Sequence, residues 1–371
     1  MDDEQSCAWL ALALCSCGRP DIWHAIVRAC GGVLETIGAS DETLARRGAS
    51  QESLHALRRA WPAGSRGVLE RCRRLGIEVS PSGSEKYPEL LAAISDPPLV
   101  LFWRGAEPAS CQPAVAIVGA RRCTAYGERT AARIAREAAE LGIVVISGLA
   151  RGIDAAAHRG ALEGGRTAAV LAGGLERIYP GEHRALAERV VAGGGFLLSE
   201  QPPGVQPLPW LFPFRNRIIT GLCAATVVVE AASRSGSLAS ARHALAQGRE
   251  VLAVPGPIDS PLSVGTNRLI AQGAPPLCET ADLEAARGLR EIIERSSLNN
   301  SKRRTIPLEQ LSAEERSIVT AIGARDATAD EICAATSLDG TRVLALLTAL
   351  ELAGVVSRGD HGRFRTASRG D

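Results

Sequence analysis

Hydrophobic positions along the chain follow two rhythms. From about residue 110 to 256, short apolar runs alternate with longer stretches of helical period. The runs are Val115–Val118, Ile143–Ile146, Ala168–Leu171, Phe196–Leu198, Val227–Val229 and Val251–Val254. The helical stretches lie over 128–141, 155–162 and 238–245. Apolar runs of four or five residues without polar alternation are strands buried on both faces, so the pattern predicts a parallel sheet with helices on either side. Gly119, Gly148 and Gly173-Gly174 follow three of the runs. They place tight turns at the strand ends, where ligands of such sheets bind.

The flanks follow another rhythm. Residues 1 to about 75 carry short helical patterns (Ile22–Cys30, 52–60 and 68–75) broken by glycines such as Gly31-Gly32. Near the other end, Ser312 with Glu315 and Thr328 with Glu331 have capping-box spacing. Asp339 precedes a third helix with Val343, Leu346, Leu347 and Leu350 on one face. Residues 355–357 and 364–366 flank the turn Asp360-His361-Gly362. Three helices and a hairpin predict a winged helix. The expected organisation is a small helical domain at 1–80, of sterile-alpha-motif or helix-hairpin-helix type. A Rossmann-like, doubly wound, mostly parallel α/β domain follows at 81–285, then a polar linker at 286–306 and a winged helix at 307–371.

Composition narrows the function. Hydrophobic residues make up 46% of 371 positions, which fits a folded chain and not a disordered one. No apolar run reaches the ~18 residues of a membrane span, so no membrane partner is expected. The start Met1-Asp2-Asp3-Glu4 is acidic where a secretory signal would be basic, and residues 9–14 read as a helix face. A cytoplasmic protein is expected. Its ten cysteines form no C-x-x-C pair, the nearest cluster being Cys15-Ser16-Cys17. They read as reduced thiols, with no metal site.

Net charge is only +1, but lysine occurs only at 86 and 302, so nearly every cation is an arginine. The guanidinium fork binds phosphate in a bidentate way and stacks on bases. Thr305–Asp371 has seven arginines against ten carboxylates. That balance argues against duplex binding by the winged helix and for a protein-contact or dimer-support role.

Four motifs carry candidate chemistry. In Val118-Gly119-Ala120-Arg121-Arg122, the middle glycine of a dinucleotide loop is replaced by Arg121. That arginine serves a phosphate or a surface carboxylate equally well. In Ser147-Gly148-Leu149-Ala150-Arg151-Gly152-Ile153-Asp154, with His158 a turn later, a helix start could seat an anion; Asp154 there reads as a helix cap and His158 as structural. Trp210-Leu211-Phe212-Pro213-Phe214-Arg215-Asn216-Arg217 interleaves aromatics with arginines, and holds three of the chain's thirteen aromatics within five residues. It reads as a stacking platform with phosphate contacts, with Phe212 or Phe214 partly in the core. Ser235-Gly236-Ser237 opens another helix after a strand and offers a further anion seat.

Taken in order, these motifs, with S-G-S-L-x-x-A-R at 235–242, V-P-G at 254–256 and G-T-N-x-L-I-x-x-G-A at 265–274, resemble the signature set of the DprA/Smf (DNA-processing protein A) family over about 85–285. The resemblance implies a homodimer that binds single-stranded DNA, protects it and loads the recombinase RecA on it during natural transformation. It implies no catalytic residue and no cofactor. It places the DNA-binding arginine on Arg121, a second basic segment on Tyr179-Pro180 with Arg184, and a third on Phe212 and Arg215–Arg217. Ala120 stands where the family has serine, and His183 where it has asparagine. The expected DNA-binding set is Gly119, Arg121, Arg122, Gly148, Arg151, Arg184, Phe212, Arg215, Asn216, Arg217, Ser235 and Gly236. Rival readings are a mononucleotide-binding protein, a nucleotide hydrolase of the Rossmann-like LOG type and a pure scaffold. The hydrolase's glutamate-bearing P-G-G-x-G-T-x-x-E turn has no acidic counterpart at 235–242.

Overall fold

The computed structural model describes residues 3–16, 18–286, 289, 290, 292, 311–323, 326–352, 355–358 and 363–366. Cys17, the expected turn at 360–362 and nearly all of the expected linker lie outside them. Two compact units are present, 1–292 and 293–371.

In the first unit an eight-stranded sheet carries the fold. Its strands are β1 (Glu78–Pro81), β2 (Val100–Gly105), β3 (Ala114–Val118), β4 (Val144–Ser147), β5 (Thr167–Leu171), β6 (Phe196–Ser199), β7 (Ala225–Val228) and β8 (Glu250–Ala253). They lie in the order β1-β2-β6-β5-β4-β3-β7-β8. From β6 to β8 every pairing is parallel. Only the β1–β2 and β2–β6 pairings are antiparallel. The sheet is therefore the mostly parallel, doubly wound one that the apolar runs predict. β1 and β2 are an addition to that reading.

Side chains alternate between two cores with the period of two that a pleated strand imposes. Phe102, Ala169, Leu171 and Leu197 enter one core. Leu101, Trp103, Ala168, Val170 and Leu198 enter the other. The first core also takes in the N-terminal helices, through Leu10, Leu12, Trp23, Ile26, Leu54 and Leu57. These helices are α1 (Asp3–Cys15), α2 (Pro20–Cys30), α3 (Val33–Gly38), α4 (Asp41–Arg46), α5 (Gln51–Arg59) and α6 (Ser65–Arg74). Ser40 and Ser50 cap α4 and α5 by accepting from Thr43 and Ser53 amides. The helices thus share one core with a sheet face, and residue 80, where a boundary is expected, falls inside β1.

The helices that position the cleft are α7 (Glu89–Ala92), α8 (Ala125–Glu140), α9 (Ile153–Gly164), α10 (Arg184–Ala192), α11 (Leu211–Gly221), α12 (Gly236–Ala246), α13 (Val264–Ala271) and α14 (Ala281–Ala285). α11 is the expected stacking segment, here a crossover helix between β6 and β7.

The second unit holds α15 (Ala313–Ile322), α16 (Ala329–Thr336), α17 (Gly340–Leu352) and the hairpin of β9 (Val356–Arg358) with β10 (Phe364–Thr366). Both capping boxes are made, and Asp339 accepts from the Arg342 amide at 3.1 Å. Ile318, Ile332, Val343, Leu347 and Phe364 form its core. Among the described residues no single helix is long and apolar enough to cross a membrane, and no cluster of side chains suits a metal ion.

Candidate nucleic-acid interface

β3 and β7 are neighbours, but the chain leaves them in opposite directions, to β4 on one side and β8 on the other. The loops behind these two strands therefore diverge and open a crevice at the switch point of the sheet. The crevice has a volume of about 660 Å³ and is walled by Gly119–Arg122, Arg234–Ser237, Tyr179 and the segment from Pro207 to Asn216.

Eight expected residues line it: Gly119, Arg121, Arg122, Phe212, Arg215, Asn216, Ser235 and Gly236. The Arg121 guanidinium lies over the Phe212 ring, 5.0 Å from its centroid. Tyr179 meets the same ring edge-on at 5.5 Å. Arg121, Arg122 and Arg234 are exposed, and among the described residues none of the three is ion-paired. The rim thus joins an aromatic surface to uncompensated positive charge.

The loop after β3 is fixed from behind. Thr124 caps α8, and its amide and hydroxyl both donate to the buried Glu230 carboxylate after β7. A Cβ on Gly127 would fall 2.3 Å from that carboxylate, and one on Gly119 would fall 2.6 Å from Ile153. These glycines allow close approach of elements; they do not frame a pyrophosphate.

At the expected anion seat, 148–152, two amides already have a protein acceptor, and so does the amide of Ile153 just beyond. Asp154 Oδ2 accepts from the Gly148 and Ala150 amides at 3.1 and 3.3 Å, and Ala120 accepts from the Ile153 amide at 3.2 Å. Asp154 ties this loop; the N-cap of α9 is Gly152, in the left-handed region at φ +73°. Arg151 is held by Glu182 through two bonds of 2.7 and 2.8 Å, and Arg184 is exposed at the start of α10 and does not line the crevice. Ser235 spends its hydroxyl on capping α12, accepting from the Ser237 amide at 3.3 Å.

The arginines of α11 are the largest departure from expectation. Arg217 is 1% exposed, bonded to Asp96 and Glu200 at 2.8 Å each and stacked 4.1 Å from the Phe214 centroid. Burial works against its charge, yet Glu200 and Asp96 outweigh it and hold the group above the ordinary arginine value. It has no face left for a phosphate. Arg215 is buried at the crevice floor and donates to the carbonyls of Gly148 and Val170. Burial pulls it down to about 10, against the pull of Asp154, so it stays charged at neutral pH. Burial likewise pushes the Asp154 carboxyl up, opposed by Arg215.

The two motif histidines, His158 and His183, both bond to protein groups. His183 Nδ1 meets the carbonyl of Leu149, a buried residue at φ +57°. Thr167 donates its hydroxyl proton to Val145, so His158 Nδ1 must donate to Thr167, at 2.7 Å. Tyr179 and Arg234 line the crevice although they are outside the expected set. Arg234 was signalled by its place between a strand and a capping serine; for Tyr179 the only signal was the family resemblance.

Residues 78–287 match the DNA recombination-mediator protein A family, and residues 302–362 match the DprA winged helix domain. The chain is 44% identical over 218 residues to the Bacillus subtilis DNA processing protein DprA, covering 58% of this chain and 73% of that protein. It is 49% identical over 195 residues to Escherichia coli protein Smf, covering 52% of each. The X-ray structure of Streptococcus pneumoniae DprA superimposes with a TM-score of 0.65 at 33% identity, over 74% of this chain and 95% of that one. The Helicobacter pylori DNA processing protein A, whose structure addresses a single-stranded-DNA binding mode, gives 0.51 at 27% identity, over 60% and 96%.

Proposed function

The chain belongs to the DNA recombination-mediator protein A family, and from that premise we propose that it is a non-catalytic protein that binds single-stranded DNA in the switch-point crevice. The observation that carries this is the Arg121–Phe212–Tyr179 stack beside the unpaired Arg122 and Arg234. An aromatic face can stack a base only when that base is free of a duplex, and stacking is worth ~1–3 kcal/mol per base. The arginines supply the phosphate term, which depends on salt and ignores sequence.

Catalysis has little support in the wall. Its one carboxylate among the described residues, Asp154, already serves two backbone amides. A hydrolase of the LOG type uses a free glutamate at the comparable turn. Consistent with the family, the proposed role is protection of incoming DNA, as a homodimer, and its delivery to RecA.

The test is a fluorescence-anisotropy titration with a labelled oligo-dT and a matched duplex. Wild type is expected to favour the single strand, and Phe212→Ala to lose about tenfold or more. Equal affinity for both forms, or hydrolysis of a nucleotide by the crevice, would overturn the reading.

A further inference from the structure

The segment from Pro207 to Phe214 walls two hollows. Pro209, Phe212 and Pro213 line the switch-point crevice. Trp210 and Phe214 line a second hollow of about 180 Å³, closed by Leu10 and Leu14 of α1 and edged by Glu200 and Gln201. Trp210 is 62% exposed, whereas Trp9, Trp23 and Trp103 are buried and Trp61 is half-buried. Phe214 already has Arg217 on its ring, so the open aromatic surface at this hollow is the indole. Among the described residues the Gln201 side-chain amide has no hydrogen-bond partner. An amide presents both a donor and an acceptor, so it suits the edge of any base.

Trp210 and Phe212 are two positions apart, a Cα span of at most about 7 Å. That is within reach of neighbouring nucleotides of one strand. We infer that Trp210 is a second base-stacking site, at which a strand leaving the Phe212 crevice lays its next base on the indole with the Gln201 amide at its edge. The inference rests on the single-stranded-DNA reading above, and continuity with that crevice is what selects a nucleobase over an apolar peptide as the occupant.

The test uses the full chain, with tryptophan emission and anisotropy read together on labelled thymidine monophosphate and on a longer oligo-dT of about 15 nucleotides. The oligonucleotide is expected to quench emission in wild type, and Trp210→Phe to abolish the quenching while binding persists. Trp210→Ala should weaken the oligonucleotide about tenfold and leave the mononucleotide, which cannot span both sites, unchanged. Quenching that survives Trp210→Phe, or unchanged oligonucleotide affinity in Trp210→Ala, overturns the second site. Arg121→Ala separates the two readings: if it weakens both ligands, the crevice stands whatever Trp210 does. If an apolar peptide quenches Trp210 and DNA does not, the hollow is a protein-docking site and the inference is wrong.

Discussion

Arg215 lies directly beneath Gly148: its Nη1 donates to the Gly148 carbonyl at 2.9 Å, and a Cβ on Gly148 would fall 2.7 Å from Nη2. Asp154 holds the amide of the same glycine. The loop behind the crevice is therefore clamped by a buried opposite-charge pair, and the motif arginine that the sequence offers as a phosphate ligand is a strut.

Arg215→Ala leaves Asp154 buried without its counter-charge and two carbonyls without their donor. It is expected to cost about 3 kcal/mol or more of unfolding free energy. Arg121→Ala, on the exposed rim, should change stability by less than about 0.5 kcal/mol. Denaturant unfolding of both variants checks this; a stable Arg215→Ala that has merely lost DNA would show that the strut assignment is wrong.

Arg217 bridges Asp96 and Glu200 with two different nitrogens. Arg217→Lys keeps the charge but not the fork, and its single ammonium cannot hold both acids in this geometry. The expected result is a destabilisation of about 1–3 kcal/mol, seen as a lowered denaturation midpoint. A wild-type midpoint would argue against the bridge.

His158 is held down to about 3 by burial, with His183, Arg215 and Arg159 adding to the effect. Its folded value lies below its unfolded value of 6.5, so between these two the unfolded chain binds the extra proton. Its contribution is present above pH 6.5 and is lost as pH falls toward 3. The slope from this group is at most about 1.4 kcal/mol per pH unit. His158→Gln should flatten the stability-against-pH curve in that window relative to wild type, and parallel curves would contradict the assignment.

Most of the sheet was legible because β3 to β8 are short apolar runs with glycines behind several of them, a pattern that few other structures produce. β1 was not, because Glu-Val-Ser-Pro is an edge strand with a charge and a proline, and only its pairing with β2 reveals it. For the rim, the residues alone left Arg121 even between a phosphate and a carboxylate, and it was the family's motifs that singled out Arg121 and Phe212, which the fold brings together. The burial of Arg217 was hidden, since it depends on Asp96, 121 positions away, and on Glu200, 17 positions away. No local pattern reports such partners. The same holds for the amides of Gly148, Ala150 and Ile153, which look free for an anion until Asp154 and Ala120 are seen on them.

Salt provides an independent check on the rim. Each of Arg121, Arg122 and Arg234 that meets a phosphate should contribute about 0.7 to the slope of log affinity against log salt on single strands. Arg122→Ala and Arg234→Ala should each lower that slope by about this amount. An unchanged slope would remove the arginine concerned from the interface.

The most direct measurement is photocrosslinking of a bromouracil-substituted single strand to the full chain, with the attached residues mapped by mass spectrometry. The account predicts adducts on the peptides bearing Phe212, Tyr179 and Arg121, suppressed by competing single strand and not by duplex. Adducts confined to the winged helix, or to surfaces away from the β3–β7 crevice, would contradict it.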